Sequence, residues 1–264
     1  MPTHLATSPD STRIAFDVSG AGNPILLLHG GGGSRADWHE GGYVSRLAEE
    51  FTVIPVDLRG HGESDKYADS TFYTTEKMGQ DILAVADACS VELFILCGFS
   101  FGGNVGRYLA ARSDRVTKMV MLGNRLSGVS DEHRQFVFDF RARWEPVVEA
   151  ARGGAFDPKF LSQKDQEDIR ELSFPGELLP SVLAWSIAML DWGTVTPNDL
   201  RCPTLWLIGS ENPGALESLR KYEKEIPNSK VSVRVIKGLT HEQEFNNIEQ
   251  VLPVILEFVR EGAK

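Results

Sequence analysis

A short turn in this chain carries a serine at its apex and joins a strand pattern to a helix pattern. The turn reads Gly98-Phe99-Ser100-Phe101-Gly102-Gly103, a G-x-S-x-G arrangement. The apolar run Phe94–Cys97 before it is typical of a strand buried on both faces of a parallel sheet. The three glycines would let strand and helix pack closely around a strained bend that exposes the serine hydroxyl. Because an ordinary glycine-rich connection can show the same pattern, its meaning depends on the rest of the chain.

Strand and helix patterns alternate along the first half of the chain. A turn at Pro9-Asp10 suggests an earlier edge strand. The strand candidates that follow are Thr12–Val18, Pro24–Leu28, Phe51–Val56, Val91–Cys97 and Val116–Leu122. Helical spacing of apolar residues falls between them, at 37–50, 74–88 and 104–112. This alternation predicts a parallel sheet with helices on both faces.

The pattern changes between residues 127 and 200, where helical segments follow one another without a convincing strand. These segments are Asp131–Ala151, Ser162–Leu172 and Glu177–Leu190. Strand patterns then return at Pro203–Gly209 and Val231–Ile236, and a last helix is predicted at 246–259. We therefore expect residues 1–126 and 201–264 to form one core and residues 127–200 to form an inserted helical cap.

Composition and charge exclude several classes of function. The chain has 264 residues and a formal net charge of −10, which argues against a nucleic-acid partner. Three cysteines without C-x-x-C spacing favour a reducing compartment and no zinc site. Met1–Leu5 lacks the start of a signal peptide, and no apolar run is long enough to span a bilayer. We expect a cytoplasmic protein that does not bind a membrane.

Three features fall where predicted parallel strands end, which is where open α/β sheets form their ligand crevice. They are the four-glycine loop Gly30–Gly33, the turn at Ser100, and His241 after the last strand. A serine needs a base within hydrogen-bond reach to act as a nucleophile, and a neutral imidazole suits that role. Exposed backbone N–H groups in the glycine loop could hold an oxyanion. These features together favour nucleophilic catalysis.

Other polar residues near these strand ends are interpreted as structural. Asp57 and Arg59 are expected to form an ion pair that braces their loop, and His61 belongs to the same brace. His29 is expected to brace the glycine loop. Cys97, at the end of a buried strand pattern, is expected to be a core side chain.

The combined motifs resemble the α/β-hydrolase fold superfamily, of the cap-bearing esterase and lactonase type. They are His29-Gly30-Gly31, the run 57–64, the run 98–103, the run 203–209 and the late His241. The resemblance covers essentially the whole chain and implies a mostly parallel eight-stranded sheet flanked by helices, with a helical cap. Carried over by position, it implies Ser100 as nucleophile, His241 as base and then acid, and the N–H groups of Gly31 and Phe101 as oxyanion donors. It implies no cofactor and no metal.

The third member of the expected catalytic triad has no clear place. The position that usually holds the family's acid is Asn212, and the strand ending near Leu122 is followed by no acid at 123–125. The adjacent Glu211 could reach His241 as the working acid, or Asn212 could orient the imidazole weakly through its carbonyl oxygen. A more distant carboxylate, Asp191 or Asp199, is a third option. Asn212 could also be a substitution in an otherwise active aspartate enzyme, and then Asn212→Asp should raise the rate.

The predicted cap contains aromatic residues at helical spacing, which could be its packing face or an apolar wall for a ligand. The candidate substrate-binding residues are Gly32 of the glycine loop and, in the cap, Phe136, Phe140, Trp144, Trp185, Met189 and Trp192.

The sequence thus predicts a serine hydrolase that cleaves a small-molecule ester or lactone with an apolar or aromatic group. Two other activities fit the same residues, namely carbon–carbon bond hydrolysis of ring-fission products and cofactor-free haloperoxidase or perhydrolase chemistry. A slow or non-catalytic ligand-binding protein also fits, since the expected aspartate is missing. The sequence leaves the oligomeric state open.

Overall fold

A mixed sheet forms the centre of the computed structural model, which describes residues 3–126, 128–150 and 156–261. Within these ranges the strands are β1 His4–Thr7, β2 Arg13–Phe16, β3 Asn23–Leu28, β4 Phe51–Val56, β5 Phe94–Phe99, β6 Val116–Leu122, β7 Thr204–Gly209 and β8 Val231–Ile236. Their order in the sheet is β1-β2-β4-β3-β5-β6-β7-β8. Strands β3 to β8 are parallel to one another, while β1 and β2 pair antiparallel. The predicted mostly parallel eight-stranded sheet is confirmed.

Helices cover the sheet and fill the long connection between β6 and β7. They are α1 Arg35–Glu40, α2 Tyr43–Leu47, α3 Thr75–Ala88, α4 Phe101–Ala110, α5 Asp131–Ala150, α6 Gln163–Arg170, α7 Leu179–Met189, α8 Pro213–Tyr222, α9 Gln243–Asn246 and α10 Ile248–Arg260. Among the described residues between β6 and β7, only helices and short 3-10 turns occur.

One predicted helix is divided in the structure, and another is preceded by an additional short helix. The helix expected at 37–50 is α1 and α2, separated at Gly41-Gly42, where Gly42 has φ of 77° and cannot continue a right-handed helix. The helix expected at 246–259 is α10, preceded by the short α9. Asn247 separates the two and caps α10 by accepting a hydrogen bond from the Gln250 N–H.

The core consists of two apolar layers, one on each face of the sheet. In β3, Leu26 and Leu28 pack in one layer, and Ile25 and Leu27 pack in the other. Residues 25–28 of this strand are therefore all apolar, because both faces of the sheet are covered there. This arrangement places the carboxyl ends of β3, β5, β7 and β8 at one edge of the sheet.

No described helix combines the length and the apolar character needed to cross a bilayer. The cysteines Cys89, Cys97 and Cys202 are free, and burial raises the pKa of the Cys97 thiol.

Candidate active site

The serine lies at a strained bend between β5 and α4. Ser100 has φ of 48° and ψ of −111°, a conformation that non-glycine residues rarely adopt and that marks functional sites. A Cβ added to Gly98 would lie 2.5 Å from the Gly103 nitrogen, and one added to Gly102 or Gly103 would overlap the Leu28 carbonyl or the Asn124 side chain. The glycines therefore permit the close packing that holds Ser100 at the apex.

The imidazole of His241 lies within hydrogen-bond reach of the serine. His241 Nε2 is 3.1 Å from Ser100 Oγ, and the ring stacks on Phe99 with centroids 5.0 Å apart. On its other side, His241 Nδ1 is 3.0 Å from Glu244 Oε2. This carboxylate favours the tautomer with the proton on Nδ1, which leaves Nε2 free to accept the serine proton.

Glu244 belongs to α9, one helical turn after His241, and its side chain is fully buried. Its carboxylate accepts a hydrogen bond from the Gly209 N–H at 2.6 Å and from Asn212 Nδ2 at 3.0 Å to each oxygen. A buried carboxylate is costly unless donors surround it. Here the imidazole, the amide side chain and the end of β7 supply them.

The two residues expected to provide the acid have other positions. Asn212 Oδ1 caps α8 by accepting from the Ala215 N–H, while its Nδ2 points at Glu244 and lies 3.3 Å from His241 Nδ1. Glu211 is exposed, and its N–H donates to the Leu239 carbonyl. The structure therefore brings Glu244, not Glu211, against the imidazole.

The distant carboxylates are also exposed, and Asp199 caps the turn at Thr196. Sequence reasoning missed Glu244, although its spacing of three from His241 was a usable signal. Residues three apart on a helical turn share one face.

The glycine loop lies directly beside the serine turn. The Gly102 N–H donates to the His29 carbonyl at 3.0 Å, and a Cβ added to Gly31 would lie 3.5 Å from Phe101 Cβ. The two expected oxyanion donors, Gly31 and Phe101, are therefore neighbours.

Two fully buried histidines hold this loop in place. His29 donates through Nδ1 to the Gly30 carbonyl and accepts the Leu58 N–H at Nε2. His61 donates through Nδ1 to the Arg59 carbonyl and accepts the Gly32 N–H at Nε2. Burial lowers the pKa of His29 to about 4; burial, then the nearby His29, lowers the pKa of His61 to about 3. Both rings are neutral at pH 7 and act as fixed braces.

The expected ion pair between Asp57 and Arg59 is replaced by two separate networks. Arg59 is fully buried and binds Asp81 through two 2.6 Å hydrogen bonds and Asp10 at 2.9 Å. Asp57 instead accepts from Arg35, through its backbone N–H at 2.7 Å and its guanidinium. Both networks brace the loop. Their partners lie on other elements of the fold, so the sequence around the loop does not predict them.

A cavity of about 400 Å³ opens beside Ser100 and His241. Met189 and Trp192, two of the residues expected to bind substrate, lie in its wall. Trp185 lies outside this lining. It covers Gly31 at the end of the glycine loop and packs on Phe101 with centroids 4.6 Å apart.

The other three cap aromatics and Gly32 do not line this cavity. Phe136 is 61% exposed and stacks on Phe140. Trp144 is buried in a separate cluster within the segment between β6 and β7. A Cβ at Gly32, which has φ of 78°, would approach Phe174 Cβ to 2.7 Å. Their contacts lie within the segment between β6 and β7, or between that segment and the glycine loop, and not at the cavity beside Ser100.

Comparison with known proteins agrees with this architecture. A family model described as alpha/beta hydrolase fold matches residues 23–152. The chain is 36% identical over 120 residues to the 2-hydroxymuconate semialdehyde hydrolase of Pseudomonas sp. (strain CF600), a match that covers 45% of this chain and 41% of the relative. It is 29% identical over 119 residues to 3-oxoadipate enol-lactonase 1 of Acinetobacter baylyi, with 43% of each protein covered. The chain thus spans less than half the length of these curated relatives.

Solved structures match over nearly the whole chain. A thermophilic esterase from Thermogutta terrifontis, solved with malate bound, superposes with a TM-score of 0.74 at 25% identity and 99% coverage of both chains. This superposition covers the sheet and the segment between β6 and β7 and agrees with an α/β-hydrolase fold for the whole chain.

Proposed function

This chain is an α/β-hydrolase-fold protein, and we propose that it is a serine hydrolase that cleaves a carboxylic ester or lactone through an acyl-enzyme intermediate. The observation that carries the proposal is the hydrogen-bonded series from Ser100 Oγ through His241 to Glu244, with distances of 3.1 and 3.0 Å. A nucleophile, its base and a group that orients the base are the parts that covalent acyl transfer requires.

In the acylation step, Ser100 Oγ attacks the substrate carbonyl while His241 Nε2 accepts the serine proton. The tetrahedral intermediate carries a negative oxygen, which the N–H groups of Gly31 and Phe101 stabilise. His241 then donates the proton to the leaving alcohol oxygen as the carbon–oxygen bond breaks. A water molecule, deprotonated by the same Nε2, hydrolyses the acyl-enzyme and restores Ser100.

Glu244 takes the role of the triad acid in this proposal. Its carboxylate fixes the Nδ1–H tautomer of His241 and stabilises the imidazolium that forms during each proton transfer. In this fold the acid usually precedes the histidine along the chain. Here it follows the histidine by three residues, and Asn212, at the usual acid position, supports Glu244 by donating to both of its oxygens.

The relatives support this class of reaction. One is named an enol-lactonase, and the matched thermophilic structure is an esterase. We infer that residues 127–200 act as a cap over the core formed by residues 1–126 and 201–264, with Met189 and Trp192 selecting an apolar group of the substrate.

Active-site labelling and burst kinetics test the proposal. A fluorophosphonate should modify the wild-type protein at Ser100, and an activated ester should give a burst of product close to one equivalent per active site. The Ser100→Ala variant should show neither. Hydrolysis that survives in Ser100→Ala would refute the serine mechanism, and a wild-type protein without burst or labelling would favour a non-catalytic ligand-binding role.

Carbon–carbon bond hydrolysis is a second candidate, because the 36% identical relative is named a semialdehyde hydrolase. The two reactions are separable by substrate. Loss of the chromophore of a ring-fission product, faster than hydrolysis of any ester in a screen of varied acyl size, would favour this candidate over the esterase.

A further inference from the structure

The cavity beside Ser100 has an unusual charge for this protein. Its wall includes Arg107, Arg125 and His133, and no Asp or Glu occurs among its lining residues in the described part of the chain. The whole chain has a formal net charge of −10. A site lined by one sign of charge raises the local concentration of ligands of the opposite sign.

Of the two arginines in this wall, Arg107 is buried and donates to the Arg125 carbonyl, whereas Arg125 is the more exposed. Its Nη1 lies 3.1 Å from Ser130 Oγ, and no carboxylate lies within ion-pair distance of its guanidinium in the ranges that the structure describes. Arg59 and Arg143, by contrast, each bind two carboxylates. The N–H groups of a half-buried guanidinium are strong hydrogen-bond donors, and a hydroxyl is a weaker acceptor for them than a carboxylate.

The backbone around Arg125 is fixed close to the nucleophile. The preceding Asn124 donates from Nδ2 to the Ser100 carbonyl at 2.5 Å, and the Arg107 guanidinium donates to the Arg125 carbonyl. The Arg125 guanidinium rests on Gly214, where any Cβ would overlap it. These contacts hold the cation at the wall of the cavity that contains Ser100 and His241.

His133 does not add a third permanent cation to this wall. Burial and the charge of Arg125 both lower its pKa below the ordinary value for histidine. Its imidazole is therefore neutral at pH 7. The apolar part of the wall is supplied by Met189 and Trp192.

We propose that Arg125 binds a carboxylate of the substrate, so that the preferred substrates are small esters or lactones that carry a carboxylate group near the scissile carbonyl. The inference rests on the serine hydrolase function proposed above and specifies its substrate class. Guanidinium and carboxylate form two parallel hydrogen bonds, which would orient the substrate as well as attract it.

Matched pairs of esters test this proposal. The mono-p-nitrophenyl esters of succinate, glutarate and adipate are compared with the same compounds capped as methyl esters, which have similar shape but no charge. The background rate, measured with Ser100→Ala, is subtracted. Wild-type kcat/KM should favour at least one charged ester over its neutral partner by about 10-fold or more, as expected for hydrogen bonds to a charged group.

Three variants separate the role of Arg125 from general damage. Arg125→Gln should bring the charged-to-neutral ratio of kcat/KM close to one, with the neutral ester as the internal reference for general damage. Arg125→Lys should keep part of the preference. Arg220→Gln removes a positive charge from the exposed face of α8 and should leave the ratio unchanged. A wild-type preference for neutral esters, or an unchanged ratio in Arg125→Gln, would overturn the proposal.

Binding without turnover distinguishes this inference from the proposed function. Monomethyl succinate is titrated calorimetrically into Ser100→Ala and into Ser100→Ala with Arg125→Gln. The first should bind and the second should bind at least about 10-fold more weakly. This result would stand even if no ester were hydrolysed, whereas equal binding by both variants would refute the role of Arg125.

Discussion

Glu244 is buried against His241, and its charge can reach the reaction only through that imidazole. Replacing Glu244 by Gln keeps the shape of the side chain but removes the charge, and its amide can offer Nδ1 an N–H that favours the wrong tautomer. We expect kcat to fall by roughly 10²- to 10⁴-fold with little change in KM. The analogy is the loss of activity when the aspartate of a serine protease triad is replaced by asparagine. Steady-state kinetics of purified Glu244→Gln measure this loss.

The matched control for this variant is Glu211→Gln, which removes a carboxylate from the exposed residue at the end of β7. It should retain wild-type kcat. If Glu211→Gln lost activity and Glu244→Gln did not, the assignment of the acid would be reversed.

Asn212→Asp is expected to lower activity instead of raising it. Asn212 Nδ2 lies 3.0 Å from both oxygens of Glu244, so an aspartate there would place two carboxylates in contact. One of them would hold a proton, and Glu244 would lose a donor. We expect a lower kcat at pH 7 and an acidic limb of the pH–rate profile that moves to higher pH. A faster Asn212→Asp enzyme would contradict this reading.

The double variant Asn212→Asp with Glu244→Gln moves the acid to its usual position in the fold. Position 212 is close enough to the imidazole, since Asn212 Nδ2 lies 3.3 Å from His241 Nδ1. The double variant should therefore recover more activity than Glu244→Gln alone. Strictly additive losses, measured as a double-mutant cycle, would show that the two positions do not exchange this role.

Ser100 and His241 were predictable from the sequence because each belongs to a local pattern. Ser100 lies in a glycine-flanked bend, and His241 follows the last strand. The acid was not predictable in this way. Its identity depends on contacts of Gly209 and Asn212, at the end of β7, with Glu244. No local sequence pattern predicts those contacts. The spacing of three between His241 and Glu244 is compatible with a shared helical face, but only the tertiary structure shows which carboxylate lies beside the ring.

The bend between β5 and α4 depends on glycines that cannot accept a side chain. Alanine normally stabilises a helix relative to glycine by about 0.5–1 kcal/mol. In α4, however, a Cβ at Gly103 would overlap the Asn124 side chain, which donates to the Ser100 carbonyl. Gly103→Ala should therefore lower the free energy of unfolding by about 1–3 kcal/mol and reduce kcat.

Gly79→Ala in α3 is the matched control for that variant, because a Cβ there would meet Leu109 Cδ1 at an ordinary 3.6 Å. It should raise the free energy of unfolding and leave kcat unchanged. Urea denaturation of both variants measures the contrast, and equal effects would show that the bend tolerates a side chain at Gly103.

Elements were predictable where both faces of a strand are buried, as at residues 25–28 of β3 and 94–97 of β5, because such segments are continuously apolar. The division of α1 from α2 was not predicted, since it requires Gly42 to adopt a positive φ within an otherwise helical pattern. The stripe of Phe136, Phe140 and Trp144 was compatible with a ligand wall or a packing face. Only the tertiary structure shows that these rings lie away from the cavity beside Ser100.

At the scale of the whole molecule, parallel topology explains why distant segments form one site. Residues near positions 30, 100, 212 and 241 follow β3, β5, β7 and β8, whose carboxyl ends share one edge. The alternation of strand and helix was enough to predict this convergence. The polar networks under the site were less predictable, because Arg35, Arg59 and Asp81 find partners across elements that sequence distance separates.

The two buried histidines make the stability of the whole molecule depend on pH in a direction that can be calculated. In the unfolded chain each imidazole titrates near 6.5, whereas in the folded protein burial lowers the pKa of His29 to about 4 and of His61 to about 3. Between these limits the unfolded state binds more protons, so the free energy of unfolding rises with pH. The stabilisation is present above pH 6.5 and is lost as the pH falls toward 4, by up to about 1.4 kcal/mol per pH unit for each ring.

Urea denaturation at pH 4.5, 5.5 and 6.5 measures this slope, and His61→Asn tests its origin. Asparagine can accept the Gly32 N–H but cannot take up a proton, so the variant should show a slope shallower by up to about 1.4 kcal/mol per pH unit. His4→Asn, at an exposed position of β1, keeps both buried rings and should retain the wild-type slope. The three proteins contain the same carboxylates, so a slope in His61→Asn identical to that of the wild type would mean that the brace of the glycine loop can be protonated without unfolding.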